Sequence, residues 1–161
     1  MTHATSHTAA VVLRRLNALP VDVVQFAMRV AVASVFFKAG LLKWQSFEFA
    51  VKLFEEEYRV PLLDPALGAR VAMLQELGMP VLLVLGLGTR LATLPLLGAI
   101  AVIQLFVYPL AWTDHLLWAS ILIFLLLRGP GRLSLDALII RRWGATDVAP
   151  ASSGDPRPFL R

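Results

Sequence analysis

Val71-Ala-Met-Leu-Gln-Glu76-Leu-Gly-Met-Pro80-Val-Leu-Leu-Val-Leu-Gly86-Leu-Gly88 is apolar almost throughout, and its single ionisable residue is Glu76. A run of this length suits a helix crossing a bilayer, whose ~30 Å of hydrocarbon takes roughly 20 helical residues. A carboxylate at that depth costs on the order of 2.5 to 3.5 kcal/mol even on lenient insertion scales, so it faces a bundle interior and needs a partner. Arg29, inside an earlier apolar run, is the expected counter-ion.

The rest of the chain agrees with a membrane reading. Of 161 residues 58% are apolar and 16% charged, and the mean hydropathy is +0.71, outside the range of soluble domains. Four stretches have spanning character: Val21–Leu42, Leu67–Leu87, Leu91–Leu110 and the shorter His115–Leu127. The last completes its span by snorkelling of Arg128 and by Trp112 and Trp118 seated toward the interface. A soluble helical bundle would show a charged face every 3.6 residues, which these stretches lack. The first run, although preceded by Arg14 and Arg15, is too long and too polar for a signal peptide.

Orientation follows from Lys/Arg placement. Arg14, Arg15, Arg90, Arg128, Arg132, Arg141 and Arg142 fall on one side, with Arg157 and Arg161 in the tail. The other side has Lys43, Lys52, Arg59 and Arg70 amid five acids. Both termini are therefore expected in the cytoplasm. The pI of about 10.1 then reflects arginines meeting anionic lipid, and no nucleic-acid signature is present.

The expected fold is all-α, a four-helix integral membrane bundle. An amphipathic helix lies on its outer face between spans one and two, and a short amphipathic helix near the C-terminus lies on the cytoplasmic face. Residues 1–19 read as a flexible leader, 20–143 as the membrane domain and 144–161 as a disordered Pro/Ser/Gly/Ala-rich tail. Phe47, Ala50, Val51, Phe54 and Tyr58 repeat at helical spacing opposite Glu48, Lys52, Glu55 and Glu56. Ser46 is placed to cap that outer helix and Pro61 to stop it. It either lies flat in the headgroups or closes over the bundle as a lid. Gly129-Pro-Gly131 ends the fourth span, and Leu133–Trp143 carries Arg141 and Arg142 at its C-terminal end.

On a helical projection Arg29, Ala33, Phe36, Gly40 and Lys43 share one stripe, with Lys38 nearly opposite. Taking span midpoints as the bilayer centre brings Arg29 within reach of Glu76. Gln104, Tyr108 and His115 fall toward the outer side, and with Lys43 and Trp44 they imply a polar cavity opening outward. Lys43, Gln104 or His115 would offer hydrogen bonds to a ligand in such a cavity and Glu76 would exchange protons. Ala92, Gly98, Ala99 and Ala101 imply close helix approach, so Gly98 is expected to be less tolerant of a side chain than Gly40. There are no cysteines, which excludes thiolate metal sites and Cys-ligated clusters. The scattered His3, His7 and His115 form no local metal motif.

Phe36-x-x-x-Gly40-x-x-Lys43, Glu76 followed by Gly86-Leu-Gly-Thr-Arg90, and Gly129-Pro-Gly-Arg-Leu-Ser-Leu-Asp136 resemble the DoxX family of small four-helix membrane proteins, over roughly residues 24–142. Leu53–Leu63 and Ile103–Pro109 are similar to a DoxX subgroup that accompanies enzymes making ribosomal metal-binding peptides. The resemblance implies a bacterial inner-membrane protein tied to redox or stress metabolism. It carries Phe36, Gly40, Lys43, Glu76 and Arg90 as motif positions and supplies no catalytic set. Three roles stay open: a quinone-linked redox subunit; a non-catalytic membrane partner or anchor for a biosynthetic enzyme in a metal-stress, copper-binding-peptide pathway; and a small-solute carrier. No covalently bound cofactor is expected.

Overall fold

A computed structural model describes residues 20–143, and all the regular structure among these residues is helical. The leader and tail expected at 1–19 and 144–161 lie outside the described residues. Helix α1 spans Val21–Gln45. Helix α2, Phe47–Lys52, continues as a π-helical segment, Leu53–Tyr58. Helix α3 spans Pro65–Leu85. Helix α4, Thr89–Val102, also ends in a π-helical segment, Ile103–Val107. Helices α5, Trp112–Arg128, and α6, Leu135–Trp143, complete the chain.

Helices α1, α3 and α4 with its extension are long and apolar enough to cross a membrane. Helix α5 has 17 residues, about 25 Å at 1.5 Å per residue. It starts at Trp112 rather than at His115, which lengthens the short fourth span seen in the sequence. These four helices form the bundle.

α1 and α3 run antiparallel and pack most extensively, with α4 and α5 closing the other side. Val32, Ala33 and Phe36 of α1, Leu83 of α3, Ala92, Leu96 and Ile100 of α4 and Leu122 and Leu125 of α5 form the core. Large apolar residues such as Val23, Phe37, Leu74, Leu94 and Ile123 point outward. Such a surface suits lipid, because acyl chains are as apolar as the side chains they meet. The projected stripe is present: Arg29, Ala33, Phe36 and Gly40 are all buried, and Lys38 is exposed.

α2 and its extension lie across one end of the bundle, called the lid end below. Ala50 is buried and Phe47, Val51, Phe54 and Tyr58 are half-buried, whereas Glu48, Lys52, Glu55, Glu56 and Glu57 are exposed. Ser46 stands at the N-cap without a side-chain capping bond. The helix ends before Pro61, where Arg59 takes a left-handed conformation, a common way to terminate a helix. α3 then starts with Asp64, whose carboxylate accepts the N–H of Leu67 at 2.8 Å, and with Pro65 in its first turn.

The opposite, arginine-rich end is sutured by long-range polar contacts. Arg29 donates to the carbonyls of Leu83 and Val84, at 3.1 Å each, and to that of Leu133. Gln25 donates to the Gly129 carbonyl at 3.2 Å, and Asp22 accepts the N–H of Arg132 at 2.6 Å. Asp136 accepts the N–H groups of Gly88 and Thr89 at 2.9 and 3.3 Å, capping α4 from α6.

Gly40 and Gly98 correct one expectation. A Cβ on Gly40 would lie 2.9 Å from the Glu76 carbonyl carbon, whereas one on Gly98 would meet nothing within 4 Å. The close helix approach is thus made by α1 against α3. Gly98 instead borders the space between α3, α4 and the lid.

Candidate functional site: a chamber with one ion pair

Glu76 pairs with Lys43. The ammonium donates to Glu76 Oε2 at 2.7 Å, with side chains 16% and 4% exposed respectively. The expected Arg29–Glu76 pair is not formed, and register explains why. Because Gly40 abuts Glu76 and the helices are antiparallel, Arg29, eleven residues earlier, stands level with Leu87, ~16 Å along the axis from Glu76. There it meets the C-terminal end of α3, whose last carbonyls lack helical partners and carry the negative end of the dipole. The guanidinium satisfies them, and it also stacks on Phe26, 5.2 Å from the ring centroid.

Lys43 and Glu76 line a chamber of about 430 Å³ beneath the lid, within the range that holds small organic ligands. Its walls come from α3, α4 and the lid: Leu67, Val71, Ala72, Pro95, Ala99, Val102 and Val107 are among the apolar residues, and Gln75 and Tyr58 add polar groups. The chamber is thus largely apolar, with its charge concentrated in a single pair. Lys43 engages only Oε2, and among the described residues no hydrogen bond holds Oε1. Both π-helical segments border the space, through Phe54 and Tyr58 on one and Ile103 and Val107 on the other. Such wide turns shift the side-chain register and are frequent at functional sites.

Of the residues expected to line an outward cavity, the structure brings only Lys43 to this chamber, beside Glu76. Trp44 is 65% exposed and points away. His115 is buried, hydrogen-bonded through Nδ1 to Gln104 Oε1 at 2.7 Å, with its ring 5.6 Å from that of Trp118. Gln104 donates to the Pro109 carbonyl at 2.9 Å. These two polar side chains tie the start of α5 to the α4–α5 turn, just after the π segment ends. Tyr108 donates to Glu57 at 2.9 Å and packs edge-on against Tyr58, with ring centroids 6.3 Å apart, fastening the lid to the α4–α5 loop. Phe54 stacks on Tyr58 from the other side, at 4.8 Å.

The lid's environment changes its tyrosines. Burial, reinforced by the nearby charges of Tyr108, Glu57 and Glu76, pushes the Tyr58 phenol up to about 12. The hydrogen bond to the Glu57 carboxylate, followed by burial, raises Tyr108 above the ordinary tyrosine value. Tyr58, Gln75, Phe54 and Gly68 are the chamber residues that sequence reasoning missed. The helical stripe through Phe54 and Tyr58 was the signal for two of them, read there as the apolar face of the outer amphipathic helix.

The fold and this site define a multi-pass integral membrane protein with a lidded intramembrane chamber. The DoxX family model matches residues 24–109, and the chain belongs to the DoxX family. No curated protein and no solved structure matches it. The matched stretch contains Phe36, Gly40, Lys43, Glu76 and Arg90, and it ends just after the α4 extension. Phe36 packs in the core with its ring 6.2 Å from Trp118, and Arg90 lies at the start of α4, away from the chamber.

Proposed function

We propose that this protein is a quinone-binding membrane subunit that works with a redox partner, its arginine-rich end facing the cytoplasm. The observation that carries this reading is the Lys43–Glu76 pair in the wall of an otherwise apolar chamber. A flat, lipid-soluble ring with polar carbonyls fits that chemistry: Lys43 offers N–H donors, Glu76 Oε1 offers an acceptor and proton carrier, and the alkyl walls exclude water. When bound, a quinone supplies electron-accepting carbonyls that take up electrons and protons in equal number. Lys43 would orient a carbonyl oxygen, and Glu76, ion-paired to Lys43 when deprotonated, would take up a proton and pass it to that oxygen. Having no cysteine, the chain carries no thiolate-ligated cluster, so the electrons come from the partner protein.

Thermal unfolding of the purified protein with short-chain quinones tests the proposal. The wild type is expected to be stabilised as ligand saturates, by roughly 2.7 kcal/mol at a hundredfold excess over Kd. Gly98→Leu, which puts a side chain into the chamber, and Glu76→Gln are expected to diminish the shift, while His115→Ala keeps it. No shift in the wild type, or an undiminished shift in Gly98→Leu, overturns the reading.

A further inference from the structure

We infer that the pocket between α4, α5 and α6 at the arginine-rich end binds the headgroup of an anionic phospholipid. It encloses about 530 Å³ and is walled by Arg90 and Arg128 together with Leu91, Ile139 and Ile140. Both arginines stand at helix ends, Arg90 in the first turn of α4 and Arg128 in the last turn of α5. In a bundle that crosses a bilayer those ends lie at the level of the lipid phosphates, so the two guanidinium groups sit at the depth of a phosphodiester.

The pocket's charge balance favours an anion. Neither arginine forms a salt bridge among the described residues, and Arg90 makes only a long contact, 3.5 Å, to the Leu127 carbonyl. Asp136 also lines the pocket, but its carboxylate is committed to the N–H groups of Gly88 and Thr89. Two planar forks therefore remain for phosphate oxygens.

The neighbouring surface favours a lipid over a free ion. Leu138, Ile139 and Ile140 of α6 are 57%, 49% and 67% exposed, giving acyl chains an apolar bed beside the cationic wall. Arg141 and Arg142 follow on the same helix. A helix of this kind lies in the interface and is drawn to anionic lipid. A zwitterionic headgroup brings its own ammonium toward the arginines and is disfavoured.

Native mass spectrometry of the full chain, extracted from bilayers of mixed phosphatidylglycerol and phosphatidylcholine, tests this. The wild type is expected to retain phosphatidylglycerol preferentially. Arg90→Gln combined with Arg128→Gln is expected to lower retention roughly fivefold for each arginine removed, whereas the corresponding Arg→Lys pair keeps most of it. Arg59→Gln with Arg70→Gln, an equal loss of charge at the lid end, leaves retention unchanged. An equal loss in that lid-end control, equal retention of phosphatidylcholine, or displacement of the lipid from wild-type protein by inorganic phosphate at matched ionic strength would each overturn the proposal. The phosphate arm needs no variant, so misfolding of a substituted chain cannot shield it.

Discussion

Gly40 presses its bare Cα against Glu76, and that contact sets the register in which Lys43, one turn further along α1, reaches the carboxylate. A methyl group at position 40 would lie 2.9 Å from the Glu76 carbonyl carbon and 3.0 Å from its Cβ, and neither backbone nor Cβ can swing aside. Gly40→Ala is therefore expected to destabilise the bundle by about 1–3 kcal/mol, the usual cost of overpacking. Gly98→Ala adds a methyl into open space and gains up to about 1 kcal/mol of helix propensity. Melting of the two variants in detergent checks this: the Gly40 variant melts lower and the Gly98 variant at or above wild type.

The Lys43–Glu76 pair is buried on one side, so removing a single partner strands the other charge. Glu76→Leu or Lys43→Met alone is expected to cost about 3 kcal/mol, and the double substitution less than either single change, because an apolar replacement for a whole pair is nearly neutral. Chemical denaturation in a fixed micelle measures this. A double variant as unstable as the sum of the two singles would show that the pair does not act as a unit.

Arg29 answers to carbonyls. Arg29→Met leaves the ends of Leu83, Val84 and Leu133 without their donor, at about 1–3 kcal/mol for each buried group left unpaired. Gly86 depends on the same arrangement: its φ of +68° is left-handed, and a Cβ there would collide with the Arg29 guanidinium and with Ser134. The correction to the expected ion pair is itself measurable. A double-mutant cycle between Arg29 and Glu76 should return a coupling within about 0.5 kcal/mol of zero, as for distant sites. A coupling of several kcal/mol would restore the discarded pair.

Periodicity and composition made the four bundle helices, three of them long and apolar enough to cross a membrane, and the amphipathic lid legible, because apolar run length and a 3.6-residue stripe are local properties. The same stripe correctly placed Arg29, Phe36, Gly40 and Lys43 on the inner face of α1. It could not say which cation meets Glu76. That depends on the stagger of α1 against α3, and a midpoint estimate of depth errs by more than the length of an arginine. Lys43 was placed on the cavity side by that stripe, but its partner was not identified, because only the packing of α1 against α3 brings its ammonium to Glu76. Gln104 and His115 were read as ligand-binding groups because polar residues in apolar runs stand out. The structure places them outside the chamber, bonded to each other, with Gln104 also bonded to the Pro109 carbonyl, beside a π segment that no local pattern announces.

The lid fastening gives a spectroscopic prediction, since Tyr58 and Tyr108 are the only tyrosines in the chain. Alkaline titration of tyrosinate absorbance is expected to show both phenols above the ordinary value of 10.0, with Tyr58 near 12. Glu57→Gln removes the carboxylate that chiefly holds Tyr108 up, so that phenol should fall back toward 10.0. Tyr58, raised mainly by burial, should move less. A folded-state value above the unfolded one favours the neutral phenol in the fold. The lid's stability from Tyr58 is therefore intact below pH 10 and lost as pH rises through about 12. Limited proteolysis of the Tyr58–Asp64 connection across that window reads the release directly. Cleavage that stays flat while Tyr58 ionises would mean that the tyrosine contacts do not hold the lid.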